Sequence, residues 1–166
     1  MRNNAAMHRI AVLALPDVVA FDLAIALQVF GHADRRHLYR VDVAAEHDVV
    51  PTTTGYGLTR TAGLAALARA DTVLVPGFEP FLPSAAALDA LRHAHARGAR
   101  MVSICTGAFA LAHAGVLDGR RATTHWHHTA ELAAFDRVTV DPDVLYVDEG
   151  NVLTSAGVAA GLDLCL

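Results

Sequence analysis

Two hydrophobic periods alternate along the chain. Unbroken apolar runs recur at His8 to Leu15, Thr72 to Val75 and Arg100 to Ile104, each of a length that suits a strand covered on both faces. A shorter alternation, Tyr39 to Ala45, places Val41 and Val43 on one side and predicts a further strand. Between these runs the pattern is helical. Leu23, Ile25, Ala26, Leu27, Val29 and Phe30 predict an apolar-rich helix ending near Gly31. Ser84 is placed to cap a helix that runs to Arg97 and stops at Gly98.

The remaining segments are shorter. Val49 to Thr61, with Thr-Thr-Thr-Gly-Tyr-Gly, reads as a strand and turn at a sheet edge, and Leu64 to Arg69 as a short helix. Ala122 to Thr124 enters a short strand, and Thr129 to Phe135 is helical. Val138 to Val140, Leu145 to Val147 and Val152 to Ser155 predict three strands, and Ala156-Gly157 opens a last helix. Strands alternating with helices define an α/β class: a three-layer sandwich with a mostly parallel sheet between helices. No repeat, linker or low-complexity tract divides the 166 residues, so 1–166 reads as one domain. Val158 to Leu166 is an apolar helix without a cap, which leads us to expect that the chain is part of a longer protein.

The stretch Met101 to Ala112 concentrates the candidate chemistry. An apolar run breaks at Cys105 and resumes as a small-residue helix, with Gly107 allowing the turn to approach the strand. This is the layout of a nucleophile elbow with cysteine in the serine position. A thiol on that corner sits over a helix N-terminus, whose partial positive charge favours thiolate, so Cys105 is expected to react below the usual thiol pKa of about 8.5. A small buried hydrophobe is the plainer alternative for any free cysteine. Asp22 fits either a site carboxylate or the N-cap of the helix beginning at Leu23.

Composition narrows the setting. At 54% hydrophobic and 18% charged the chain is globular, and no apolar run is long enough to cross a bilayer. Two cysteines make no disulfide framework, and the N-terminus lacks a signal-peptide core, so a reducing cytoplasm is expected. The formal charge is −4 and every lysine-or-arginine position is arginine, scattered along the chain; this gives no nucleic-acid footprint and hints at a GC-rich bacterial genome. His125-Trp126-His127-His128 lacks a second ligand cluster, so no metal is expected. No Gly-rich phosphate loop suggests a cofactor.

Several segments together resemble the ThiJ/PfpI superfamily, with its flavodoxin-like, class I glutamine amidotransferase-like fold. They are Phe21-Asp22-Leu23, Val75-Pro76-Gly77, Ser103-Ile104-Cys105-Thr106-Gly107, the run Asp118 to Trp126 and the run Leu153 to Asp163. Two branches are similar: the N-terminal domain of AraC-type transcriptional regulators, and isonitrile hydratase, a cysteine enzyme that adds water to an isonitrile. The resemblance implies a homodimer that senses an unidentified small-molecule effector and reaches DNA through a helix-turn-helix domain absent here. The alternative is a cysteine-dependent hydratase or hydrolase of small molecules, similar to isonitrile hydratase.

The resemblance assigns roles. Cys105 becomes nucleophile or sensing thiol, Asp22 its proton-holding neighbour and His125 a nearby histidine. Gly77, Phe78, Thr106 and Gly107 become the ligand-binding loops, with the Phe78 and Thr106 N–H groups as an anion hole. Phe78, where relatives carry a second glycine, and Phe81 are expected to fold over Cys105 and narrow the pocket.

Overall fold

The computed structural model describes residues 7–32, 38–80 and 82–166. The main strands are β1 (His8–Leu13), β2 (Tyr39–Ala44), β5 (Thr72–Val75), β6 (Arg100–Ile104), β9 (Tyr146–Asp148) and β10 (Val152–Ser155). They form a central six-stranded sheet in the order β2-β1-β5-β6-β10-β9. Neighbours pair in parallel from β2 through β10, and β9 joins antiparallel to β10. The continuous apolar runs of β1, β5 and β6 are thus the inner strands, buried on both faces.

Period-two alternation sends successive residues to opposite layers. Ala11, Leu13, Val73, Val75 and Met101 pack with Leu88 and Leu91 of α2 (Ala85–Ala96) and with Phe109 and Leu111 of α3 (Gly107–His113). Ile10, Val12, Leu74, Val102 and Ile104 pack instead with Leu23 and Ile25 of α1 (Ala20–Ala26) and with Leu164 of α5 (Ala159–Cys165). Helices on both faces of a mostly parallel sheet give the three-layer fold that the alternating pattern predicts. Among the described residues no helix is long and apolar enough to cross a membrane.

Element boundaries differ in instructive places. The helix expected from Leu23 begins at Ala20 and passes into a π-helical stretch, Leu27–His32, before Gly31 can end it. Val19, with no side-chain cap, holds the N-cap position, so Asp22 lies inside the first turn and is no cap. Ser84 does cap α2: its hydroxyl accepts from the Ala87 N–H at 3.0 Å. The segment expected at a sheet edge is a separate hairpin, β3 (Val49–Pro51) with β4 (Gly57–Thr59). β7 (Arg120–Ala122) and β8 (Val138–Val140) also pair apart from the main sheet. Leu64–Arg69 forms a 3₁₀ helix, and α4 covers Thr129–Leu132 alone.

Strand order reverses at β1, with β2 on one side and β5 on the other. Ligands in open α/β sheets bind outside the carboxyl ends of strands near such a switch point. The connections leaving β1, β5, β6 and β10 at that edge carry Asp22, Gly77, Cys105 and Gly157.

Candidate functional site around Cys105

Cys105 stands between β6 and α3 with φ at 57°, a left-handed conformation rare for a residue with a Cβ. The corner is held from three sides. The Cys105 N–H donates to the Ser155 carbonyl at 3.0 Å. The Thr124 hydroxyl donates to the Cys105 carbonyl at 2.8 Å. Gly107 lies so near β5 that a Cβ there would stand 2.1 Å from the Val75 carbonyl oxygen. Backbone strain of this kind persists where surrounding contacts over-determine it.

Asp22 meets this corner from α1. It is fully buried, and its Oδ2 accepts from the Gly77 N–H at 3.2 Å. The Val158 N–H and the Cys105 thiol also donate to the carboxyl group, while Oδ1 has no hydrogen-bond partner. Gly77 fills the space between the two side chains: a Cβ on it would stand 2.5 Å from Asp22 Oδ2 and 3.1 Å from Cys105 Cβ.

The electrostatics reverse the expectation of an acidic thiol. Burial, and then the Asp22 carboxylate, push the Cys105 thiol up to about 12. The Thr106 N–H at the start of α3 pulls the other way and is outweighed. Burial likewise raises Asp22 above the usual aspartate range, against the lowering effect of its hydrogen bonds from Gly77, Val158 and Cys105. Two acidic groups in one dry site cannot both ionise, so the pair retains a proton between them.

The expected anion hole takes a different form. Phe78 is 1% exposed and packs in the core on the α2 and α3 side, so it does not fold over Cys105. Its N–H donates to Thr106 Oγ1 at 2.8 Å, and the Thr106 hydroxyl donates back to the Phe78 carbonyl. The Phe78 N–H and the Thr106 hydroxyl therefore clamp the loop after β5 to the start of α3. Phe81 lies outside the described residues.

His125 hydrogen-bonds within its own loop. Its Nδ1 accepts from the His127 N–H at 3.4 Å, and its ring stacks loosely with Trp126, His127 and His128. Among the described residues no hydrogen bond or charge interaction joins it to Cys105, and no group of three potential ligands is gathered as a metal site would need. Thr124, its neighbour in sequence, is the residue of this run that touches the corner.

Gly157 is the site residue that sequence reasoning does not single out. With φ at 93°, it lies over the thiol, and a Cβ there would stand 2.6 Å from Cys105 Cβ and 3.0 Å from Sγ. Strand pairing holds the signal. Ser155 pairs with Ile104 in parallel register, so the loop leaving β10 arrives beside the corner leaving β6.

The fold and site define an α/β domain with a buried cysteine–carboxylate pair at the carboxyl edge of its sheet. The DJ-1/PfpI family profile matches residues 8–166, and the chain belongs to that family. It is 32% identical over 163 residues to isonitrile hydratase of Pseudomonas putida, covering 95% of this chain and 69% of that one. It is 34% identical over 160 residues to the HTH-type transcriptional regulator CdhR of Pseudomonas aeruginosa, covering 93% of this chain but 47% of the regulator. An AraC family transcriptional regulator structure from Pseudomonas putida superposes with a TM-score of 0.81 at 22% identity, covering 95% of this chain and 88% of that one.

Proposed function

We propose that this domain is the ligand-sensing and dimerising part of an AraC-type transcriptional regulator, and that its ligand is met at Cys105 and Asp22. The observation that carries the reading is the buried pair itself. A thiol held protonated up to about 12 is a poor free nucleophile at neutral pH. It is suited to meet a small electrophile, or a ligand that displaces its hydrogen bond to Asp22, without reacting indiscriminately. Gly77 and Gly107 keep the loop and helix close enough to sense such a change, and the Thr106–Phe78 clamp transmits it to the core. The similarity to CdhR over about half that regulator's length supports a partner DNA-binding domain in the whole protein.

A second reading rests on the same pair. Asp22 is placed to take the thiol proton as sulfur bonds to the terminal carbon of an isonitrile, and to deliver it to that carbon. Water then adds to the resulting thioimidate carbon, and the C–S bond breaks. The products are an N-substituted formamide and the restored thiol. The 32% identity to isonitrile hydratase supports this reading.

Incubation with cyclohexyl isonitrile separates the two. Sensing predicts a homodimer by sedimentation and at most one formamide per chain. Catalysis predicts formamide accumulating over many turnovers, lost in Cys105→Ser. Two helix-turn-helix units encoded beyond residue 166 would support the regulator, and a frame ending within a few helical turns would favour the enzyme.

A further inference from the structure

Outside the Cys105 site, a cleft of about 150 Å³ opens between the end of β1, the end of β2, the β3 hairpin and the start of α2. Leu13, Leu15, Ala45 and Val50 form its floor, all 3% exposed or less. Glu46 and Ser84 stand at its exposed rim, where the Ser84 hydroxyl donates to Glu46 Oε1. The lining of this solvent-open cleft is mostly apolar below its rim, and its volume of about 150 Å³ suits a benzene-sized body.

We propose that this cleft is a second ligand site, taking a small molecule with a compact hydrocarbon body and a hydrogen-bond-donating head. The body rests on the four apolar side chains. The head meets the Glu46 carboxylate, whose Oε1 accepts from Ser84 and whose second oxygen takes no hydrogen bond from the described residues. Like charge on Glu46 disfavours a carboxylate head, His47 being the other ionisable side chain of the lining. This site stands whichever role Cys105 plays.

Its position gives occupancy a route to the thiol. Pro16 and Pro51 line the cleft, and the Val18 N–H donates to the Pro51 carbonyl at 3.2 Å. One residue on, the Val19 N–H donates to the Gly77 carbonyl at 2.7 Å, and α1 with Asp22 begins directly after. A ligand that shifts the segment 16–19 thereby moves the Gly77 loop and Asp22 together.

The test is methyl-detected NMR of the protein titrated with isobutylamine, isobutanol and isobutyrate. The amine and the alcohol are expected to give saturable shifts and intermolecular NOEs to the Leu13, Leu15 and Val50 methyls. Isobutyrate is expected to bind at least about tenfold more weakly than the amine, the scale of one charged hydrogen bond. Ala45→Phe fills the cleft and should abolish all three. Glu46→Gln, at the exposed rim and harmless to folding, should keep the alcohol bound while removing the amine's advantage. Absence of saturable NOEs to those methyls overturns the site. Isobutyrate binding as tightly as the amine overturns the head-group assignment.

Discussion

Gly157 and Cys105 are in van der Waals contact across the seam between two parallel strands, with room for nothing larger than hydrogen on Gly157. The residue that roofs the thiol thus comes from the last strand of the fold, far from the corner in sequence. Gly157→Ala combines a left-handed backbone with a Cβ that would stand 2.6 Å from Cys105 Cβ. It is expected to cost about 1–3 kcal/mol in urea unfolding. An unfolding midpoint equal to wild type would mean that the roof is loose.

The Thr106 hydroxyl is the partner of a buried Phe78 N–H. Thr106→Val keeps the shape and removes that buried hydrogen bond, at an expected cost of about 1–3 kcal/mol. Thr106→Ser restores the hydroxyl and should recover most of the loss. Equal stability of the Ser and Val variants would show that the clamp contributes nothing.

Burial raises the Asp22 pKa, so the folded chain holds that proton to higher pH than an unfolded aspartate at about 3.9. Its contribution to stability is full below the unfolded value and is lost as pH rises through the folded one. At pH 7 the carboxylate is a burden that Asp22→Asn removes. Calorimetry should find the variant's Tm higher at pH 7 by on the order of a few degrees, the gap closing as pH falls toward 4. A variant less stable than wild type at pH 7 would reverse the sign.

His125 hydrogen-bonds within its own loop, and among the described residues no hydrogen bond joins it to the thiol. His125→Ala should therefore leave the pH profile of Cys105 alkylation unchanged. A shift in that profile would bring the histidine back into the site.

The frame of this fold is legible in the sequence because inner parallel strands are written as unbroken apolar runs. β5, β8 and β10 begin and end where the pattern places them, and Ser84 and Gly98 bound α2 as turn chemistry demands. The Cys105 corner is legible for the same reason: a local strand–turn–helix needs little tertiary information. Asp22 is ambiguous in sequence, since helix entry at Ala20 is set by the Val19–Gly77 hydrogen bond, a long-range contact. Phe78 reads as a lid in sequence because its burial depends on the space between α2 and α3. The thiol's acidity is misread from sequence because burial is a property of the whole fold, whereas a helix N-terminus is visible locally.

Cys105 and Asp22 share a proton in a closed site, and one measurement reaches that relationship directly. It is the pH dependence of Cys105 alkylation in a Cys165→Ser background, with and without Asp22→Asn. Cys165 is replaced because it is a second free thiol. Reactivity is predicted to rise with a midpoint near 12 in the wild type, and removing the Asp22 charge is predicted to move that midpoint downward. A midpoint below the usual thiol value of about 8.5 that ignores the Asp22 substitution would contradict the shared proton.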